Sequence, residues 1–356
     1  MSLHAVILCG GRGERFWPKS RRALPKQFIT LFGHESLTQE TSDRVRPLCP
    51  RAHQLFVAPA EFEQVLRGQL GVSARLVFEP LGRNTAPAIG LAAEYLKHED
   101  PEATMLVLPA DHLIEDGAAF LKAVKMGSQL AQDGMLVTFG IRPERPDTGY
   151  GYIQLGSRMA GKGQLAALRV QAFKEKPSPA RARAYLAAGN YVWNSGMFIW
   201  RVDAILSAFH EFMPEFHAEL ETFGKTIGTG REKAALARLY RKAPSISIDY
   251  AVMEKAENVA CVRGTFDWDD VGSWLALARH IKPDHSGNVA NGALVARNSS
   301  HCIVDSDAGV VAVLGVKDLV IVRAGDAVLV ADKNGLQHIK QLLADIAVLP
   351  YARRFL

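Results

Sequence analysis

The residues most able to do chemistry come early in the chain. An apolar run, Ala5-Val6-Ile7-Leu8, passes through Cys9 into Gly10-Gly11-Arg12-Gly13-Glu14-Arg15, and Pro25-Lys26 follows. Glycines allow several backbone N–H groups to converge on one anion, and the fixed cations Arg12, Arg15 and Lys26 would neutralise further negative charge. The combination predicts a polyphosphate held at the end of a strand. Two common templates fail. Gly11-x-Gly13-x-x-Phe16 lacks the third glycine of a dinucleotide fingerprint, and Lys19-Ser20 follows Pro18 rather than a glycine, unlike a P-loop lysine. A plain glycine turn with solvated basic residues remains open on this stretch alone.

Further polar groups recur at the ends of apolar runs. Asp111 follows Met105–Leu108, where a carboxylate suits Mg²⁺ held against phosphate oxygens, or else caps the next helix. His112 is expected to point elsewhere. Glu79 could accept the paired N1–H and N2–H donors of guanine, a pair that adenine, uracil and thymine lack. After it, the helix from Thr85 would offer its N–H groups to anions, with Asn84 or Thr85 as its cap. Gly149 and Gly151 could let the backbone approach a sugar. Lys174 and Lys176 flank Glu175 and share one side if the strand continues, or serve to keep an edge strand soluble. Asn194-Ser195-Gly196 interrupts an apolar strand and needs partners, which sugar hydroxyls or a β-bulge would supply. A helix is expected to begin within Ser245–Glu254 with Ser247 as its cap, where Asp249 would be a first-turn acid stabilising the helix dipole. Asp267, Asp269 and Asp270 stand among large aromatics, which is costly without a compensating cation or hydrogen bonds.

The elements that must position these groups follow from periodicity. Strands are expected at Ala5–Leu8, Gln54–Ala58, Arg75–Phe78, Thr104–Leu108 and Met135–Ile141. Helices are expected at Ser36–Arg46, opened by a capping box Ser36-x-x-Gln39, at Thr85–Leu96 and at Phe120–Leu130. Alternating strands and helices predict a parallel sheet with helices on both faces and ligands beyond the strands' carboxyl ends. From Gly287 short strands repeat at His301–Asp305, Gly309–Val316, Leu319–Val322 and Ala327–Ala331, closed by a helix at Gln337–Ile346. The 356 residues are 48% apolar and 22% charged with net charge +5, ordinary for a globular protein and better suited to a small anion than to nucleic acid. Four scattered cysteines form no metal or redox spacing and fit a cytoplasmic protein, with Cys9 as structural filling; no apolar run is long enough to span a membrane.

Gly10–Arg21, with its Phe16-Trp17-Pro18-Lys19-Ser20 continuation, and Pro25-Lys26-Gln27-Phe28 resemble the sugar-nucleotide pyrophosphorylases, specifically the mannose-1-phosphate guanylyltransferases. The Glu79–Ile89, Glu175-Lys176-Pro177 and Trp268-x-Asp270-x-Gly272-Ser273-Trp274 segments extend the likeness over essentially the whole chain. The resemblance implies a Rossmann-like α/β nucleotidyltransferase domain with a mixed, mainly parallel sheet over residues 1–285. A small β-helix-like module is implied over 286–356. It implies GTP and mannose 1-phosphate as substrates, Mg²⁺ on Asp111 and Asp270, and Arg15 and Lys26 as catalytic cations. Leu8, Gly10, Gly11, Gly13, Glu79, Asn84 and Thr85 would bind the nucleotide. Gly149, Glu175, Lys176, Asn194 and Asp249 would bind the sugar phosphate, leaving Asp267 and Asp269 as surface or capping acids. A homodimer is expected, with no nucleic-acid or membrane partner. The isomerase domain of longer relatives is expected to be absent. Glu14 and Cys9 depart from the threonine and alanine common in the family. A guanylyltransferase for another sugar, one loose in its nucleotide choice, and a non-catalytic GDP-mannose sensor are the alternatives.

Overall fold

A computed structural model of the chain describes residues 2–11 and 13–356. Arg12, one of the two arginines expected at the phosphate loop, lies outside the described residues. The fold condenses into two units that do not follow chain order. The first comprises the residues up to Gly10, Glu40–Ala110 and Ile114–Trp268; the second, Gly11–Gln39, Asp111–Leu113 and Asp269–Leu356.

The first unit is built on nine strands: β1 (Leu3–Leu8), β2 (Gln54–Pro59), β3 (Arg75–Glu79), β4 (Thr104–Pro109), β5 (Leu136–Ile141), β6 (Tyr152–Lys162), β7 (Leu165–Lys174), β8 (Tyr191–Arg201) and β9 (Val259–Arg263). Their order in the sheet is β3-β2-β1-β4-β8-β5-β9-β7-β6. All five strands expected from apolar runs are present, and β1, β2, β4 and β5 are almost wholly buried, as strands covered on both faces must be. Strands β1–β4 pair in parallel, and β5 pairs in parallel with β9. The sheet is mixed, yet its antiparallel share exceeds the mainly parallel expectation. Strand β8 enters antiparallel between β4 and β5, and β6 and β7 form a hairpin. A hairpin needs only a short turn, whereas a parallel neighbour needs a crossover. Strand β7 pairs with β9 only over Ala166–Arg169, so its Lys174 end has β6 alone as a strand neighbour.

Helices Thr85–Glu99 and Gly117–Gln132 bury the faces marked by Ile89, Ala92, Ala93 and Leu96 and by Phe120, Val124 and Leu130. The second helix is capped by Asp116, whose carboxylate accepts the Ala119 N–H at 2.9 Å, so Asp111 is not its cap. Asp267 accepts the Glu115 and Asp116 N–H groups at 3.1 and 2.7 Å, a capping acid as expected. The helix expected from Ser247 is instead a single π-helical turn, Asp249–Met253. The chain before it stays extended because its backbone is engaged by the helix start at Thr85. The Ile248 N–H donates to Thr85 Oγ1 at 2.9 Å, and the Ala86 N–H donates to the Ile246 carbonyl at 3.2 Å.

In the second unit four strands, β10 (Val289–Arg297), β11 (Ile303–Leu314), β12 (Leu319–Ala324) and β13 (Ala327–Asp332), form a sheet in chain order. The first three run parallel, and β13 turns back antiparallel. Strand β10 was not expected, since Asn291-Gly292 breaks its alternation. The two strands expected at 301–305 and 309–316 are one, β11, which continues through Gly309 at φ +69°. The closing helix is Ile339–Ala347, preceded by a 3₁₀ stretch. The capping box forms as read, with Ser36 N–H to Gln39 Oε1 at 3.0 Å and Gln39 N–H to Ser36 Oγ at 3.3 Å.

This β module carries the basic loop of the N-terminal motif. Phe16, Trp17, Trp274, Val320 and Leu329 share one buried cluster. Trp274 Nε1 donates to the Trp17 carbonyl at 3.0 Å, and Trp17 Nε1 donates to that of Phe355 at 2.6 Å. Lys19 Nζ reaches both oxygens of fully buried Asp305 at 3.0 and 3.1 Å. All four cysteines are buried, Cys9 among them. No helix among the described residues is long and apolar enough to cross a membrane.

Asp269 corrects the sequence reading. It is buried rather than superficial, accepting Arg279 Nε and Nη2 at 2.5 and 2.7 Å, the Val271 N–H at 2.8 Å, and facing His280 Nε2 at 2.9 Å. Burial opposes its charge, but these partners prevail and hold its carboxyl far below the usual carboxylate range. Its contribution to stability is therefore present above the unfolded pKa of about 3.9 and lost as pH falls through the lower folded value. Asp269→Asn is expected to lower unfolding free energy at neutral pH by about 3 kcal/mol, read from the denaturant midpoint, because it strands a guanidinium beside a buried amide.

Candidate active site

Lys26 opens a 3₁₀ turn after Pro25 and is buried, an unusual place for an ammonium. Its Nζ donates to Asp111 Oδ2 at 2.9 Å and to the backbone carbonyl of Asp270, and it lies 5.9 Å from the Phe16 ring centroid. Gly13, at φ +58°, lets this happen: a Cβ there would stand 2.5 Å from the Lys26 nitrogen. Asp111 is one-third exposed. Burial pushes its carboxyl up, but the charges of Lys26 and His112 outweigh this and keep it below the ordinary value. His112 does not point away, contrary to expectation; its Nε2 lies 3.8 Å from Asp111 Oδ1.

Asp270 sits between two special backbone positions. Val271 adopts φ +47°, which is strained for a β-branched residue; its buried side chain and the N–H bond to Asp269 hold it there. A Cβ on Gly272 would be 3.1 Å from Asp270 Oδ2, so the glycine makes room for the carboxylate. Arg15, Lys26, Asp111 and Asp270 all line one cleft of ≈460 Å³, with Gly13, Glu14, His112 and Lys340. The four residues expected to be catalytic are thus brought together. Gly10 and Gly11 are exposed and do not line that cleft; the Gly11 carbonyl accepts Gln27 Nε2 at 3.2 Å. The Leu8 carbonyl is taken by the Ala110 N–H at 3.1 Å.

Two carboxylates facing one cleft, one of them already drawing a buried ammonium, make a donor set of hard oxygens that fits a divalent cation of the Mg²⁺ type. Among the described residues no cluster of three or more His, Cys, Asp or Glu side chains could hold a metal.

In the first unit, Glu79 ends β3 and is buried. It accepts the Tyr240 hydroxyl on Oε1 at 3.0 Å. Burial raises its carboxyl to about 7, with Tyr240 working against the shift. Asn84 caps the following helix, its Oδ1 accepting the Thr85 N–H at 2.8 Å at φ +69°. With the Ala86 N–H on Ile246 and Pro87 lacking one, three of the first four helix positions have nothing left for an anion. Asn84 is thus the N-cap that the sequence allowed, and the helix start is closed internally.

Glu175 and Asn194 lie against Gly151, and Asp249 is bonded to Asn194. Asn194 Nδ2 donates to Asp249 Oδ1 at 2.7 Å, while its Oδ1 accepts Thr138 Oγ1 and the Gly196 N–H, each at 3.2 Å. Asn194 is thus satisfied internally, as the β-bulge reading expects, and its amide orients Asp249. Burial, offset in part by Asn194, raises the Asp249 carboxyl; burial and the Asp249 charge raise that of Glu175. A Cβ on Gly151 would fall on Glu175 Oε2, so this glycine, rather than Gly149, permits the close approach. Gly149 lies in an exposed turn, its N–H on Asp147 Oδ1 at 2.9 Å. Strand β7 ends at Lys174, and Lys176 turns through φ +42°, so the two lysines do not share a strand face. Lys176 is exposed, 3.8 Å from Glu175 Oε1. Sequence reasoning missed Tyr240, whose hydroxyl reaches Glu79 from far along the chain, and Val271, whose positive φ no local pattern announces.

The family model for nucleotidyl transferases matches residues 4–286, and that for the mannose-phosphate isomerase/GMP-like β-helix domain matches 292–346. A mannose-1-phosphate guanylyltransferase of Klebsiella pneumoniae is 41% identical over 345 residues, covering 94% of this chain and 72% of its own. The enzyme of that name from Escherichia coli strain K12 is 38% identical over 358 residues, 97% of this chain and 73% of its own. A crystal structure from Thermus thermophilus, described as a mannose-1-phosphate geranyltransferase, superposes with a TM-score of 0.89 at 40% identity, over 98% of this chain and all of that one.

Gly13→Ala tests the packing under Lys26. The added methyl meets backbone and takes an unfavourable φ, so a loss of roughly 2 kcal/mol in unfolding free energy is expected. Calorimetry giving an unchanged Tm would contradict the close contact.

Proposed function

Because this chain belongs to the nucleotidyl transferase family, with mannose-1-phosphate guanylyltransferases as high-coverage relatives, we propose that it converts GTP and α-D-mannose 1-phosphate into GDP-mannose and diphosphate. A phosphate oxygen of mannose 1-phosphate attacks the α-phosphorus of GTP in line, and the bond to the β-phosphate breaks, releasing diphosphate. No general base is needed, since the nucleophile is ionised near neutral pH. Positioning and charge neutralisation carry such reactions.

The observation that carries this reading is the convergence of Arg15, Lys26, Asp111 and Asp270 on one cleft. In this reading, Gly13 within the cleft and the exposed loop glycines Gly10 and Gly11 outside its lining offer backbone N–H groups to phosphates, and Arg15 and Lys26 stabilise charge on the reacting and leaving groups. Nucleotidyltransferases of this family generally use a divalent metal. Asp111 and Asp270 would hold it as Mg²⁺, whose contribution is charge neutralisation. Lys26, bonded to both segments that carry these acids, keeps them facing one another. Lys176 takes the sugar phosphate, and Glu175 and Asp249 accept sugar hydroxyls. Glu79 accepts the guanine donors, its free oxygen and angle set by Tyr240. A GDP-mannose sensor would have no use for the leaving-group cations.

Residues 1–285 would carry the chemistry and 286–356 the β module. Val295, Val310, Val328 and Val330 are exposed on that module's strands, which supports a homodimer formed through it. Four buried free thiols support a reducing, cytoplasmic setting.

A diphosphate-release assay over a panel of nucleoside triphosphates and sugar 1-phosphates tests the assignment, which fails if UTP or ATP works and GTP does not. Asp111→Asn and Asp270→Asn should each lower kcat by about 10²-fold or more with the fold intact. An undiminished rate in either removes that residue from the mechanism. Glu79 adds a pH test. Its carboxyl is protonated below about 7 and ionised above it, so KM for GTP should fall as pH rises through that value. Glu79→Gln should abolish the trend, and a trend surviving the substitution would assign it to another group.

A further inference from the structure

The helix Ile339–Ala347 belongs to the C-terminal module, yet its Lys340 lines the same cleft as Arg15, Lys26, Asp111 and Asp270. The helix is anchored: Ile339 is buried in the cluster containing Phe16, Trp17 and Leu31, and Leu343 and Ile346 pack against it. Lys340 also borders a neighbouring cavity of ≈230 Å³ with Glu14, Trp17 and Ser20, so it stands where helix and loop meet. Its Nζ is 4.0 Å from Glu14 Oε2, with both side chains substantially exposed at 68% and 40%. A long, solvated pair of this kind holds weakly and is readily exchanged for a better anion.

Charge balance in the cleft gives this pair a purpose. Arg15, Lys26 and Lys340 face Glu14, Asp111 and Asp270, three cations against three anions. Lys26 is committed to Asp111, and Lys340 rests on Glu14, which leaves Arg15 as the cation without an ion-pair partner among the described residues. Arg15, Lys26 already paired with Asp111, and a divalent ion shared with two carboxylates neutralise only part of the charge of a triphosphate. Glu14 is also the loop residue that departs from the common threonine of the family, and the proposed reaction leaves it without a role.

We propose that Lys340 is a further substrate-contacting cation of this site, released from Glu14 to the terminal phosphates of the nucleotide and to the departing diphosphate. Glu14 acts as its holding partner, keeping the ammonium aimed at the cleft between turnovers. The C-terminal module thereby completes the site it is packed against. The inference rests on the cleft being the triphosphate site.

Steady-state kinetics of the full chain in both directions tests it. Lys340→Gln should raise KM for GTP and, in the reverse reaction, KM for diphosphate by about tenfold, the equivalent of one lost charge-assisted contact. KM for mannose 1-phosphate should stay unchanged, the KM for diphosphate should become less sensitive to salt, and Lys340→Arg should restore most of the loss. Glu14→Gln should lower KM for diphosphate or leave it unaltered. Unchanged KM for GTP and diphosphate in Lys340→Gln overturns the proposal. Should that variant unfold, Lys340→Met read the same way decides it. Asp111→Asn separates the two levels: if it is inactive while Lys340→Gln is normal, only the role of Lys340 falls; if it is fully active, the cleft reading itself falls.

Discussion

A buried ammonium is the constraint around which the second unit is arranged. Taking a lysine charge out of water costs several kcal/mol unless it is paired and hydrogen-bonded. Lys26 meets that requirement with one carboxylate, Asp111, and one carbonyl, that of Asp270. Three stretches of chain, far apart in sequence, must close on each other for it to be met. Gly13 supplies the space and Val271 the unusual turn that presents Asp270. The same arrangement that satisfies the lysine leaves two acids facing one cleft. Stability and chemistry here therefore depend on the same contacts.

The N-terminal motif divides its labour. Gly13, Arg15 and Lys26 face the cleft, whereas Trp17 and Lys19 turn to the β module and anchor the loop through an indole hydrogen bond and a buried ion pair with Asp305. Lys19 is a cation of the glycine-rich motif that is committed to Asp305 and not to the cleft. The rigidity of the loop comes from the far end of the chain, and Asp269 with Arg279 and His280 clamps the other approach to Asp270.

At Glu79, Glu175 and Asp249 of the first unit, burial rather than a cationic partner governs the carboxyl. Glu79, Glu175 and Asp249 all have carboxyls raised first by desolvation, in contrast to Asp111 and Asp269, whose cationic partners prevail. Acids whose charge is opposed by burial suit recognition of N–H and O–H donors, and acids held ionised by cations suit cations and structural pairing. The two groups of carboxylates differ accordingly in the work proposed for them.

Local pattern determined a good deal by itself. Strands β1–β5, the helices carrying Ile89 and Phe120, and the capping box at Ser36 were legible because periodicity and capping act over a few neighbouring residues. Arg15, Lys26 and Asp111 were also legible, since cations beside a glycine-rich turn and a strand-end acid announce their chemistry by type, whereas Asp270 stood out from Asp267 and Asp269 only through the family resemblance. Strand order was not, because β8 inserts between β4 and β5 through pairings that no local period encodes. Only the tertiary structure decided that His112 joins Asp111, that Asp269 is buried, that Asn84 and Thr85 close their helix start, and that Lys340 reaches the cleft. Each depends on which distant group meets a side chain's charge or hydrogen-bonding capacity, and that is settled by packing in three dimensions.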